Sequence, residues 1–160
     1  MTARLIDGKK LAETLRGELA RHVAEFRAKS GITPRLAAVL TGDDPASAVY
    51  VKNKHTACEA VGLGTEVIRL PQQTTEAELL DVVHRLNSDS AFHGILVQLP
   101  VAPQIHSQRV LDAVTPLKDV DCFHPENVGR LVQGRPRFLP CTPAGVQRML
   151  LSEQIGRAHV

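Results

Sequence analysis

Leu36-Ala37-Ala38-Val39-Leu40-Thr41-Gly42-Asp43-Asp44-Pro45-Ala46-Ser47-Ala48-Val49-Tyr50-Val51-Lys52-Asn53-Lys54 is the stretch from which the fold can be read. Its first five residues are an apolar run with the look of a buried strand, and Thr41-Gly42-Asp43 reads as a turn. Asp44 is a candidate helix cap, Pro45 suits a first helical position and Gly62 suits a helix end, so a helix is predicted from Pro45 to Val61. Strand, tight turn and helix make one βα unit of an α/β sheet. At about 3.6 residues per turn, one helix face collects Ser47, Tyr50, Val51, Lys54, Ala57, Cys58 and Val61. Lys54 is the one charge on that face. An ammonium there either has a partner and a purpose or snorkels along its stem to a nearby edge.

Working outward, the same alternation continues. Lys9 to about Lys29 is amphipathic, with Leu11, Leu15, Leu19, Val23 and Phe26 on one stripe, Asp7 as cap and Gly31 as stop. Thr65 to Leu70 reads as a strand. Thr75-Glu76-Ala77-Glu78 is a capping-box pattern, opening a helix that buries Leu79, Val82, Val83 and Leu86. Phe92 to Gln98 reads as a strand, and Pro100 stops its ladder. Ser107 to Val114 and a segment from Thr142-Pro143 complete the helices. The expected fold is a three-layer αβα domain around a mainly parallel sheet with right-handed crossovers.

Ligands of such sheets gather outside the carboxyl ends of the strands. Ser47, Tyr50 and Lys54 follow one such end, and Gln98 closes another. Gln98 offers a donor and an acceptor there, or marks the strand's exit to solvent. From Thr115 to Thr142 the pattern is aperiodic and rich in proline. Within it, Asp119 and Asp121 suit turn chemistry, a helix cap or a ligand's donors, and no further close oxygen ligands suggest a metal. His124 stands beside them and reads as structural, as does His93, while His22, His55 and His84 fall on helices and read as solvated.

Composition excludes several classes. The net charge of +2 is too balanced for nucleic acid or a membrane surface, and aromatic residues are only 3%, which leaves no base-stacking platform. Cys58, Cys122 and Cys141 are odd in number and widely spaced, as reduced thiols of a cytoplasmic protein are. No signal peptide or membrane-spanning stretch is readable.

Four stretches resemble one family closely: Gly42-Asp43-Asp44-Pro45-Ala46-Ser47 with Tyr50, Val51 and Lys54; Gly94 to Pro100; Lys118-Asp119-Val120-Asp121; and Pro140-Cys141-Thr142-Pro143 with Gly145. Ile6-Asp7-Gly8-Lys9 also fits. The family is the bifunctional methylenetetrahydrofolate dehydrogenase/methenyltetrahydrofolate cyclohydrolase (FolD) family. Two departures stand out: Cys122 occupies a position that is usually glycine, and Ala102 replaces a common proline.

The resemblance implies a substrate, a cofactor and roles. 5,10-Methylenetetrahydrofolate loses a hydride to NADP, and the resulting 5,10-methenyl cation is hydrolysed to 10-formyltetrahydrofolate. By resemblance Lys54 is the catalytic lysine, Gln98 the glutamine that contacts it, Tyr50 the ring that stacks on the folate and Asp121 the group that bonds the pterin's donors. Ser47 lies on the same helix face. The resemblance also implies a homodimer for a full-length parent, serving one-carbon metabolism and purine biosynthesis. It divides the chain into a folate-binding catalytic domain (1–141) and a linking helix with the first residues of an NADP-binding Rossmann domain (142–160). Arg157-Ala158-His159-Val160 reads as the opening strand of that domain, whose glycine-rich fingerprint is not in the 160 residues. Cys141, Thr142 and Pro143 are the residues expected near the cofactor, and a weak dimer or monomer is expected of this chain alone. The competing reading is a folate-binding or scaffold module without complete chemistry. A third is a Schiff-base lyase acting through Lys54.

Overall fold

The structure, a computed structural model, describes residues 5–156. The stretch Arg157 to Val160 lies outside the described residues. Among the described residues the elements in chain order are α1 (Gly8–Ser30), β1 (Arg35–Thr41), α2 (Pro45–Ala60), β2 (Gly64–Leu70), α3 (Glu76–Ser88), β3 (Gly94–Val97), α4 (Ser107–Ala113), α5 (Pro125–Val132) and α6 (Cys141–Ser152). The three strands form one parallel sheet in the order β2-β1-β3.

Alternation along β1 assigns the two faces. Ala37 and Val39 pair in register with Ile95 and Val97, and all four enter one core with Leu79, Val83 and Leu86 of α3. Ala38 pairs with Leu96 on the opposite face, where both meet Val51 of α2. Helices therefore cover both faces, giving the expected three layers. The local signals act as read. Asp44 accepts from the Ser47 N–H at the start of α2 (2.7 Å), and Thr75 and Glu78 form a reciprocal capping box on α3.

Three expectations need correction. The strand read from Phe92 to Gln98 is shorter, running from Gly94 to Val97, although Gln98 still donates its N–H to the Val39 carbonyl (2.8 Å). The stripe on α1 is largely open: Val23 is buried, but Leu19 and Phe26 are exposed. Both sheet faces are already taken by α2 and α3, and α1 meets α6 and the turn after α2 instead. The segment read as aperiodic contains α5. Its start carries ordinary signals, with Pro125 at the first position, Glu126 in the first turn and the His124 ring accepting from the Glu126 N–H (3.1 Å). At eight residues the helix is too short for its periodicity to stand out.

The chain before α5 extends the sheet. Asp119 bridges Ile95 in parallel, and the Ile95 N–H donates to the Lys118 carbonyl (2.8 Å). Gly94 permits this approach, because a Cβ there would stand 2.7 Å from Val120 Cγ1. The Lys118 ammonium donates to the carbonyls of Leu86 and Asp89, fixing the segment to the end of α3.

Candidate active site

Two residues past the Asp119 bridge, the chain arrives at Asp121, beside the carboxyl end of β3. The first turns of α2 arrive there from β1. Between them lies a cavity of about 360 Å³ whose walls include Tyr50, Lys54, Gln98, Asp121, Phe123 and Cys141. Lys54 Nζ stands 5.1 Å from the centre of the Tyr50 ring, within cation–π range. Lys54 thus lines a cavity, with its amine against an aromatic face and within electrostatic reach of a carboxylate.

Asp121 is a partly buried acceptor of the cavity. Burial pushes its carboxyl above the usual carboxylate range; the Lys54 charge opposes that rise and Asp119 adds to it. The Cys141 thiol donates weakly to Asp121 Oδ1 (3.9 Å) and to the Val120 carbonyl (3.9 Å). Partial burial and the negative charge of Asp121 push that thiol up in turn, with Lys54 opposing. A lysine, an aspartate and a thiol thus share one field. Such a site can hold a ligand that presents donors to a carboxylate and an electrophilic carbon to an amine.

The other residues singled out from sequence fall as follows. Gln98 lines the cavity, and its Nε2 donates to the Leu99 carbonyl (2.7 Å). An ammonium can only donate, so Oε1 is the atom of Gln98 suited to Lys54. Thr142 and Pro143 line the cavity with Cys141, at the first turn of α6. Ser47 does not line it. It is buried in the cap of α2, where hydrogen bonds from its hydroxyl and its N–H hold Asp44 below the usual carboxylate range. Asp119 is a turn former: its carboxylate accepts from the N–H groups of Phe123 and His124 and from Asn127. Phe123 and Cys141 are wall residues that sequence reasoning did not assign to the substrate. For Phe123 the only signal was an apolar residue two beyond Asp121, and Cys141 was expected near the cofactor. Among the described residues no group of three His, Cys, Asp or Glu side chains could hold a metal ion, and no helix is long and apolar enough to cross a membrane.

Both departures from the family pattern acquire a physical reading. Cys122 has φ +61°, the left-handed conformation in which glycine is at ease. Exchange to valine, branched at Cβ, is expected to cost about 2 kcal/mol or more. Exchange to glycine should stay within about 1 kcal/mol of the parent, since relief of strain offsets the lost burial of the thiol. Urea unfolding of the two variants checks both. Ala102 donates its N–H to Thr41 Oγ1 (2.9 Å) in a buried contact, which a proline could not do.

A model of the tetrahydrofolate dehydrogenase/cyclohydrolase catalytic domain matches residues 6–121. The chain belongs to that family. Within it, the chain is 57% identical over 148 residues to the bifunctional protein FolD 2 of Geobacter sulfurreducens, covering 92% of this chain and 52% of that protein. The 5,10-methylenetetrahydrofolate dehydrogenase of the silkworm Bombyx mori superposes with a TM-score of 0.94 at 40% identity, over 96% of this chain and 53% of the other. The Trypanosoma brucei dehydrogenase-cyclohydrolase, solved with NADP cofactor and an inhibitor, gives 0.92 at 35% identity over 96% and 53%. The chain spans about half the length of the family members it matches.

Proposed function

We propose that these residues form the folate-binding half of a bifunctional enzyme. It oxidises 5,10-methylenetetrahydrofolate to 5,10-methenyltetrahydrofolate with NADP, then hydrolyses that product to 10-formyltetrahydrofolate. The observation that supports this is the convergence of Tyr50, Lys54, Gln98 and Asp121 on one cavity at the carboxyl ends of parallel strands, in a chain of this family. At about 360 Å³ the cavity is at the small end of the range that takes a small molecule, as suits one ring system.

The roles follow from the chemistry. Asp121 accepts hydrogen bonds from the pterin's nitrogens. Tyr50 offers a face for the ring to stack on. The methenyl carbon of the substrate is cationic. Water adds to it as a proton passes to a base, for which the Lys54 amine serves. The carbon–nitrogen bond to the ring then breaks as the adduct's hydroxyl releases its proton to solvent and becomes the formyl carbonyl, and the ring nitrogen takes a proton, which the ammonium can return. Gln98 Oε1 orients the amine. NADP, when bound, takes up the hydride in the first reaction. Of the described residues, Cys141, Thr142 and Pro143 are those suited to meet it, since the start of α6 has no side-chain cap on its N–H groups.

In this reading residues 1–141 are the catalytic domain, and 142–160 lead into a nucleotide-binding domain. The enzyme is a cytoplasmic homodimer whose one-carbon product serves purine biosynthesis. The reading of α6 as a connection is supported by its exposed apolar residues: Val146, Leu150 and Leu151 face outward, beside an apolar groove of about 630 Å³. A polypeptide of these 160 residues is expected to bind tetrahydrofolate but not NADP. The dinucleotide's pyrophosphate needs a glycine-rich turn at a helix N-terminus, and the sequence has no such fingerprint. Calorimetric titration with each ligand tests this. Saturable NADP binding at micromolar levels would refute the division, and no folate binding would refute the site.

A further inference from the structure

We infer that Asn127 and Arg137 are positioning residues for Asp121, acting through Asp119; the inference rests on the folate reading above. Asn127 is fully buried at 0% exposure, and its amide is engaged on both ends. Its Nδ2 donates to Asp119 Oδ2 (2.8 Å) and to the Pro116 carbonyl (2.9 Å). Its Oδ1 accepts from Arg137 Nη1 (2.9 Å), and Arg137 Nη2 in turn pairs with Glu126 (2.9 Å). The Asp119 carboxylate uses its remaining capacity on the backbone. Oδ1 accepts from the Phe123 N–H (3.2 Å) and Oδ2 from the His124 N–H (2.9 Å).

Those two donors lie just beyond Asp121. One buried carboxylate therefore closes the turn that carries Asp121, and one buried amide fixes that carboxylate. The turn is bound to the edge of β3 through the Asp119–Ile95 bridge and to α5 through Asn127. Inside it, Cys122 is held at φ +61°, a conformation that persists only where its surroundings impose it. When the hold on Asp119 loosens, the easiest relaxation is at residues 121–122. The effect therefore falls on the orientation of Asp121 before it falls on the rest of the fold.

Hydrolysis of 5,10-methenyltetrahydrofolate by the full-length protein as its gene encodes it tests this. Arg137→Leu leaves the Asn127 Oδ1 without its donor, at a side chain that is partly solvent-exposed. The expected result is a KM about tenfold higher with kcat close to the parent's. Arg137→Lys, which can still donate to that oxygen, should recover most of the loss. Asn127→Ser should act in the same direction; if it fails to fold, Arg137→Leu still decides. In an Asp121→Asn background, Arg137→Leu should add no further rise in KM, because both changes act on one contact. A lower melting temperature with KM unchanged would overturn the inference, as would additive effects in the double variant. If Asp121→Asn alone leaves KM unchanged, it is the folate reading that fails.

Discussion

Lys54→Met, made in the full-length enzyme, is expected to lower methenyltetrahydrofolate hydrolysis by about 100-fold or more, the scale at which loss of a general base is felt. The fold should remain intact. Lys54 sits on α2 one turn beyond Tyr50 and the buried Val51, half-buried, and lines the cavity. Methionine keeps most of that stem's volume and removes the amine, so packing is nearly conserved. The charge lost has a cost and a gain. Asp121 loses the cation that favours its ionised form, while the helix face loses a group that needs solvation. Stability should therefore move little, and thermal melting followed beside the hydrolysis assay separates lost chemistry from lost structure. Gln98→Leu should weaken catalysis less, since it loosens the amine's orientation without deleting it. A well-folded Lys54→Met protein that hydrolyses at the parent rate would reduce Lys54 to a lysine that merely borders a cavity.

Asp121→Asn is expected to separate binding from stability. The substrate KM should rise by about 10- to 100-fold, the worth of about 1.5–3 kcal/mol for hydrogen bonds to a charged acceptor. The fold should gain stability at neutral pH. Burial raises the folded-state pKa of Asp121 above its unfolded value. The folded protein thus holds this proton more tightly than the unfolded chain, and that contribution is complete below the ordinary carboxylate pKa of about 4. It is lost as pH rises through the folded-state value. Asparagine cannot ionise, so its advantage in melting temperature should be absent near pH 4 and grow toward pH 7. A variant that melts lower than the parent at pH 7 would mean that the pairing with Lys54 outweighs the burial. Sites that bind through a buried charge commonly carry such a stability cost.

What the sequence disclosed depends on how local its causes are. The βα unit at Leu36 to Lys54 is legible because an apolar run, an Asp-Pro cap and a helical face all lie within a few turns of one another. Tyr50 and Lys54 follow from the same periodicity, one turn apart on one face. Asp119 and Asp121 were indistinguishable by spacing. What separates them is remote: the bridge to Ile95 and the bonds from Asn127 make Asp119 part of the scaffold and leave Asp121 at the cavity. Phe123 was illegible as a wall residue for the same reason, and Cys141 was expected near the cofactor but not beside Asp121, to which only the return of the chain after α5 brings it. α5 was missed because it is short and lies among prolines. The open face of α1 could not be foreseen from an apolar stripe, which says that a face is fit for burial but not what covers it. The departure at position 122 flagged the backbone beside Asp121 without giving its conformation, and the structure shows cysteine there at positive φ, a conformation that glycine adopts easily.

A crystal structure of the protein with a bound tetrahydrofolate at saturating concentration would bear on the whole argument at once. The pterin ring should lie in the cavity of about 360 Å³, stacked on Tyr50, with its nitrogens donating to Asp121 and its reactive carbon facing Lys54. Folate lying instead along the apolar groove of α6, or a cavity left empty at saturation, would contradict the assignment of this site.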